Sequence, residues 1–202
     1  MVYQVGVGGY HQEIDVLREA WPDVRFVGFD PIRPDTYDGE FIQTAIGRTN
    51  GEASFYVKRR HQDGSSLFPL GADDTRRVQS VPIVTLDELL LFSCPIGEHV
   101  LLWLDCEGSE LDALVGGERF IRYVEMVNVE LSAAPRLAGM ADPLSVYRWL
   151  AERGFYMIWC HTMRIPDGQW DAIFVRQELF SPECCCYPSE TLRYIADANP
   201  RV

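Results

Sequence analysis

Three carboxylates crowd the hexapeptide Asp105-Cys106-Glu107-Gly108-Ser109-Glu110, directly after the apolar run Val100 to Leu104. Carboxylates this close repel one another unless a cation, a metal or hydrogen bonds offset the charge. Glu110 and Asp112 have a plain explanation, because acids in the first turn of a helix are favoured by its dipole. Asp105 and Glu107 lack that explanation, and Asp105 is expected to point into a cleft. Glu130 ends the next apolar run in the same way. These three, with His11, are the candidate catalytic bases for a hydroxyl proton. Asp105 with Glu107 can also be read as an oxygen pair for a divalent cation such as magnesium. The metal-free version is preferred, so no metal ligand is assigned. His61 and His99 read as surface or structural residues, and His161 is held in reserve.

A second constellation lies at the start of the chain, in Val5-Gly6-Val7-Gly8-Gly9-Tyr10-His11. Glycines here let the chain turn and let a ligand approach the backbone and the amino end of the next helix. A dinucleotide fingerprint wants a third glycine three residues after Gly8, where this chain has His11. That counts against NAD or FAD. Asp30 follows the second apolar run, where an acid can accept both ribose hydroxyls of a nucleoside. The plain alternative is a turn aspartate before Pro31. Glycine loop and acid together favour a nucleoside.

The elements that must position these residues follow from hydrophobic pattern. Strands are expected over 3–7, 25–29, 41–46, 53–59, 78–84, 100–104, 124–131, 155–160 and 170–176. Helices are expected over 11–20, 85–92, 109–121, 142–153 and 189–198. Thr85-Leu86-Asp87-Glu88 has the form of a capping box, and Asp142-Pro143 that of a cap followed by proline at the first helical position. Only about ten residues separate the second and third strands, near the minimum for a parallel crossover. Residues 53–84 read as an inserted strand pair and loop. Pro166-Asp167-Gly168 turns the last two strands into an antiparallel pair at the sheet edge. The whole chain, 1–202, is expected to be one α/β domain, its sheet mostly parallel with helices on both faces.

The 202 residues suffice for one buried core, and 47% hydrophobic with 24% charged residues is globular composition. A net charge of -12 repels a phosphate backbone, so neither nucleic acid nor an anionic membrane is an expected partner. Lys58-Arg59-Arg60 and Arg76-Arg77 read as solvated edges. There is no signal peptide pattern and no apolar run of bilayer length, so a soluble cytoplasmic protein is expected. The six cysteines, three of them consecutive at 184–186, form neither a disulfide framework nor a zinc spacing.

Several of these stretches share one resemblance. Ser80-Val81-Pro82-Ile83-Val84-Thr85-Leu86-Asp87-Glu88-Leu89, the segment Leu101 to Leu111 with Asp-Cys-Glu-Gly-Ser-Glu, and Leu114-Val115-Gly116-Gly117 resemble motifs of the FkbM family of S-adenosylmethionine-dependent methyltransferases. Gly64-Ser65-Ser66-Leu67, Asp30-Pro31, Thr44-Ala45-Ile46-Gly47 and Asn50-Gly51 are similar to further elements of that family, in the same order. The resemblance implies a Rossmann-like class I methyltransferase fold of seven strands with an antiparallel edge strand. It implies S-adenosylmethionine over Gly6, Gly8 and Gly9, with Asp30 and Pro31 at the ribose. Gln43, Thr44 and Ala45 would lie near the adenine, with Ser66 also at the cofactor. The implied reaction is O-methylation of a small-molecule acceptor, such as a sugar or secondary metabolite. A donor-binding protein without catalysis, or less plausibly an NAD-dependent oxidoreductase, is the alternative. Trp103 stands where the family has lysine, and Tyr10-His11-Gln12 replaces its usual loop continuation. The chain starts at its first strand, so a cover over the site is expected from later loops or from the second subunit of a homodimer.

Overall fold

In the computed structural model, residues 1–8, 12–35, 37, 39–58, 64–71, 76–92, 95–132, 137–162 and 168–179 are described. In chain order the elements are β1 (Val2–Val5), α1 (Gln12–Ala20), β2 (Phe26–Phe29), β3 (Glu40–Ile42), β4 (Ala45–Ile46), β5 (Gly51–Val57), β6 (Arg77–Val84), α2 (Leu86–Leu89), β7 (Leu101–Leu104), α3 (Glu110–Val115), β8 (Met126–Ser132), α4 (Pro143–Ala151), β9 (Phe155–Thr162) and β10 (Gln169–Arg176).

Seven strands form one sheet in the order β3-β2-β1-β7-β8-β10-β9, and three form a second in the order β4-β6-β5. In the large sheet every pairing is parallel except those of β10 with β8 and with β9. The antiparallel pair at the sheet edge is therefore present, with one correction: the reversed strand β10 is the inner member, and β9 is the edge. The connection through α4 brings β9 back parallel to β8 and one strand-width beyond it. The short return after β9 can only reverse direction, and it fills that gap.

Strand periodicity sorts the core. Tyr3 and Val5, Val27 and Phe29, Leu102 and Leu104, and Val127 and Val129 share one face with Leu86, Leu114 and Leu150 from α2, α3 and α4. Leu102 and Leu104 are fully buried, a gain of roughly 2 kcal/mol each. The alternate residues Val2, Phe26 and Leu101 pack on the other face with Leu17 of α1. Helices thus cover both faces.

The capping signals work as their residue types dictate. Thr85 Oγ1 accepts from Glu88 N at 3.1 Å, while Asn50 Oδ1 accepts from Thr85 N at 2.7 Å. Asp142 Oδ1 accepts from Ser145 N at 3.0 Å. Two elements differ from expectation. The strand expected over 41–46 is divided: β3 pairs with β2, and β4 pairs with β6 in the small sheet. Thr44 sits at the division, its Oγ1 donating to Pro82 O at 3.1 Å. The helix expected over 109–121 stops at Val115. A Cβ on Gly116 would stand 2.0 Å from Gly47 O, so the backbones meet too closely there for any side chain. Among the described residues no helix joins β2 to β3. The helix expected over 189–198 and Cys184, Cys185 and Cys186 lie outside the described residues. No described helix is long and apolar enough to cross a membrane.

Candidate active site

From β1 the chain builds outward to β2 and β3 on one side, and from β7 to β8 on the other. Ligands of such sheets sit outside the carboxyl ends of the strands at this reversal point. A cavity of about 220 Å³ lies there. Val5 to Gly8 underlie it. Phe29 to Ile32, Thr44 to Ile46 and Phe55 line one side, and Asp105, Cys106, Glu107 and Ser109 the other. Gly64, Ser65 and Leu67, from the loop after β5, complete the wall.

Asp30 organises the first side. Its Oδ2 accepts from Val7 N and Gly8 N, both at 3.1 Å, and its Oδ1 accepts from Ile32 N at 2.8 Å. The carboxylate thus ties the glycine turn to the end of β2. Gly6 is required for a different reason. Its φ is +82°, and a Cβ there would stand 1.7 Å from Asp105 O. The turns after β1 and β7 touch backbone to backbone.

The second side is held by two side chains that do not face the cavity. Glu110 is buried at the start of α3, and its Oε1 accepts from Cys106 N at 3.1 Å and Gly108 N at 3.0 Å. Burial raises the pKa of this carboxyl, and the backbone donors oppose that rise. Ser66 is fully buried; its Oγ donates to Glu107 O at 2.6 Å and accepts from Phe68 N at 3.0 Å. Glu107 has φ +51°, a left-handed conformation uncommon outside glycine. Ser66 and Glu110 together fix this turn, while Asp105 remains exposed at the cavity. Burial pushes the Cys106 thiol well above its ordinary pKa, so it is a neutral wall group.

The structure brings together most of the residues singled out in the sequence. Gly6, Gly8, Asp30, Pro31, Thr44, Ala45, Asp105 and Glu107 all line the cavity. Gln43 is exposed instead, its Nε2 donating to Pro31 O at 3.0 Å. Ser66 points away, and its neighbour Ser65 faces the cavity. Gly9 and His11 lie outside the described residues.

Glu130 lines a separate small cleft with Glu110, Gln169 and Met140, bordered by Glu107 and Gly108. It stands directly opposite Asp171 across the β8–β10 ladder, and its Oε2 accepts from Gln169 Nε2 at 2.8 Å. Burial, then the charges of Asp105, Glu107, Glu110 and Asp171, push its pKa up to about 9. Among the described residues no group of three or more His, Cys, Asp or Glu side chains is placed to hold a metal.

Phe55, Leu67 and Ser65 were not found by sequence reasoning. Serine beside serine gives no signal of which one faces inward. The bridge between Tyr56 and Ser66 settles it.

Fold and cavity define an α/β protein with a site at the reversal point of a doubly wound sheet. A family model for the methyltransferase FkbM domain matches residues 5–157, and the chain belongs to that family. Among solved structures, magnesium protoporphyrin IX methyltransferase (ChlM) from Synechocystis PCC 6803 with bound SAM is similar at 11% sequence identity and a TM-score of 0.46. That match covers 87% of this chain and 69% of the other. No curated protein matches the chain.

Proposed function

We propose that this methyltransferase uses S-adenosylmethionine to methylate an oxygen of a small hydroxylated acceptor, such as a sugar or secondary metabolite. The observation that carries this reading is the reversal-point cavity, with Asp30 at the end of β2 and backbone glycine beneath. The residues fit a nucleoside. Asp30 brings to the cavity a carboxylate, the group that ribose hydroxyls donate to, and Ile32, Ala45 and Phe55 offer an apolar slot for a flat base. Bound there, S-adenosylmethionine supplies a methyl group already activated by positive sulfur.

The chain's own task is then to orient the acceptor, exclude water and take up one proton. Asp105 suits the last of these. It lies at the end of β7, lines the cavity and stays exposed. Glu130 does not: it lines a separate cleft, and with its pKa pushed up to about 9 it already holds a proton at neutral pH.

Titration calorimetry with S-adenosylmethionine, S-adenosylhomocysteine and NAD tests the donor assignment. Binding of the first two and not NAD is expected, and binding of NAD alone overturns it. With methyl-labelled donor and a panel of sugars, label is expected in alkali-stable ethers. Asp105→Asn is expected to slow that transfer about 100-fold with donor affinity unchanged. Full transfer by Asp105→Asn removes Asp105 from the role.

A further inference from the structure

Lys58 is the only lysine in the chain. It follows β5, and its ammonium makes no ion pair among the described residues. Lys58 Nζ lies 3.4 Å from the point where a Cβ on Gly64 would stand, and Glu107 Oε1 lies 3.7 Å from the same point. Gly64 is part of the cavity wall. A cation and an anion therefore stand on the same side of one wall glycine, Glu107 lining the cavity and Lys58 just outside its lining.

The neighbouring hydroxyl is placed to assist. Ser65 Oγ accepts from Lys58 N at 3.0 Å, which leaves its own proton to donate. The segment is anchored from behind: Arg76 Nη1 donates to Gly64 O at 3.2 Å and Nη2 to Phe68 O at 2.6 Å, with its guanidinium over the Tyr56 ring. Ser66 binds the same segment to Glu107 O.

Position along the sheet says which part of a ligand meets these groups. β2, β1 and β7 are successive neighbours, and strands lie about 4.8 Å apart. Asp30 and the Glu107 turn thus mark opposite ends of the cavity. A donor with its ribose at Asp30 extends its amino-acid portion toward β7. That portion is a zwitterion, carrying an α-ammonium and an α-carboxylate on one carbon. Glu107 complements the first charge, and Lys58 with Ser65 the second.

We propose that Lys58 and Ser65 bind the α-carboxylate of the methyl donor, opposite Glu107 on its α-ammonium. The assignment rests on the donor reading above, and it leaves proton uptake to Asp105.

The test is calorimetry on the full chain with two probes, S-adenosylhomocysteine and 5′-methylthioadenosine. Both carry the thioadenosine, and only the first carries the amino acid. Lys58→Met is expected to weaken S-adenosylhomocysteine about tenfold or more and to change methylthioadenosine less than about twofold. Lys58→Arg is expected to retain most of the affinity. Equal loss for both probes, or unchanged binding of S-adenosylhomocysteine, overturns the carboxylate assignment. If the unmodified protein binds neither probe, the donor reading itself falls and the assignment falls with it.

Discussion

The carboxyl ends of β2 and β7 flank the same cavity and hold their acids in different ways. At β2 a single carboxylate, Asp30, accepts three backbone N–H groups and also faces the cavity. At β7 the tasks are divided. Glu110 holds the turn from beneath, Ser66 holds Glu107 from the side, and Asp105 is left exposed at the opening. Replacing Asp30 must therefore disturb fold and ligand site together. On the β7 side, support and chemistry can be removed separately.

The backbone contact between the turns after β1 and β7 underlies both sides, so breaking it is expected to have the largest effect. Gly6→Ala places a Cβ against Asp105 O at a positive φ. A loss of about 4 kcal/mol is expected, or roughly 10 °C in Tm by circular dichroism. A Tm within a few degrees of the parent would remove the contact from the account. Asp30→Ala comes next: it leaves three amides without their acceptor, for about 3 kcal/mol. It is also expected to weaken S-adenosylhomocysteine at least about 100-fold. A folded Asp30→Ala protein with parental affinity would end the ribose assignment.

Glu130 sharpens the contrast from outside the cavity. Glu110 is buried with two amide donors, whereas Glu130 has the Gln169 amide and faces Asp171. Its folded pKa, about 9, lies above the ordinary 4.5, so its stabilising contribution is complete below pH 4.5 and is lost as pH rises toward 9. Glu130→Gln is expected to be neutral at pH 4 and to stabilise by about 2 kcal/mol at pH 8, after discounting for partial exposure. Thermal melts across that range check the sign. A variant less stable than the parent at pH 8 would refute it. The smallest effect is expected from Ser66→Ala, about 1 kcal/mol, with affinity for S-adenosylhomocysteine kept within about threefold. A larger loss of affinity would place Ser66 at the ligand after all.

Much of this arrangement is legible in the sequence alone. The apolar runs ending at Phe29 and Leu104 mark the strands, and the acids that follow them mark the site. Thr85 and Asp142 announce their helices because a cap is local chemistry. Features decided by distant partners are not legible. Nothing in Phe41 to Ile46 tells that the chain changes sheets at Thr44, since both halves are apolar and extended. Gly116 looks like a helical residue until Gly47 O is seen beside it. Ser65 and Ser66 exchange roles because the bridge to Tyr56 fixes which one is buried.

The three-stranded sheet pairs only with itself, yet it provides Ala45, Phe55 and the segment holding Gly64 and Ser65. The large sheet provides the opposing wall. A ligand between them adds a crosslink to those the protein already has, Ser66 Oγ to Glu107 O and Arg48 to Asp112. Opening the small sheet breaks those bonds and draws Ile46 out of the main core. Occupancy adds the binding free energy to that local opening. Amide exchange should therefore slow throughout β5 and β6 on ligand addition, including at residues that never touch the ligand.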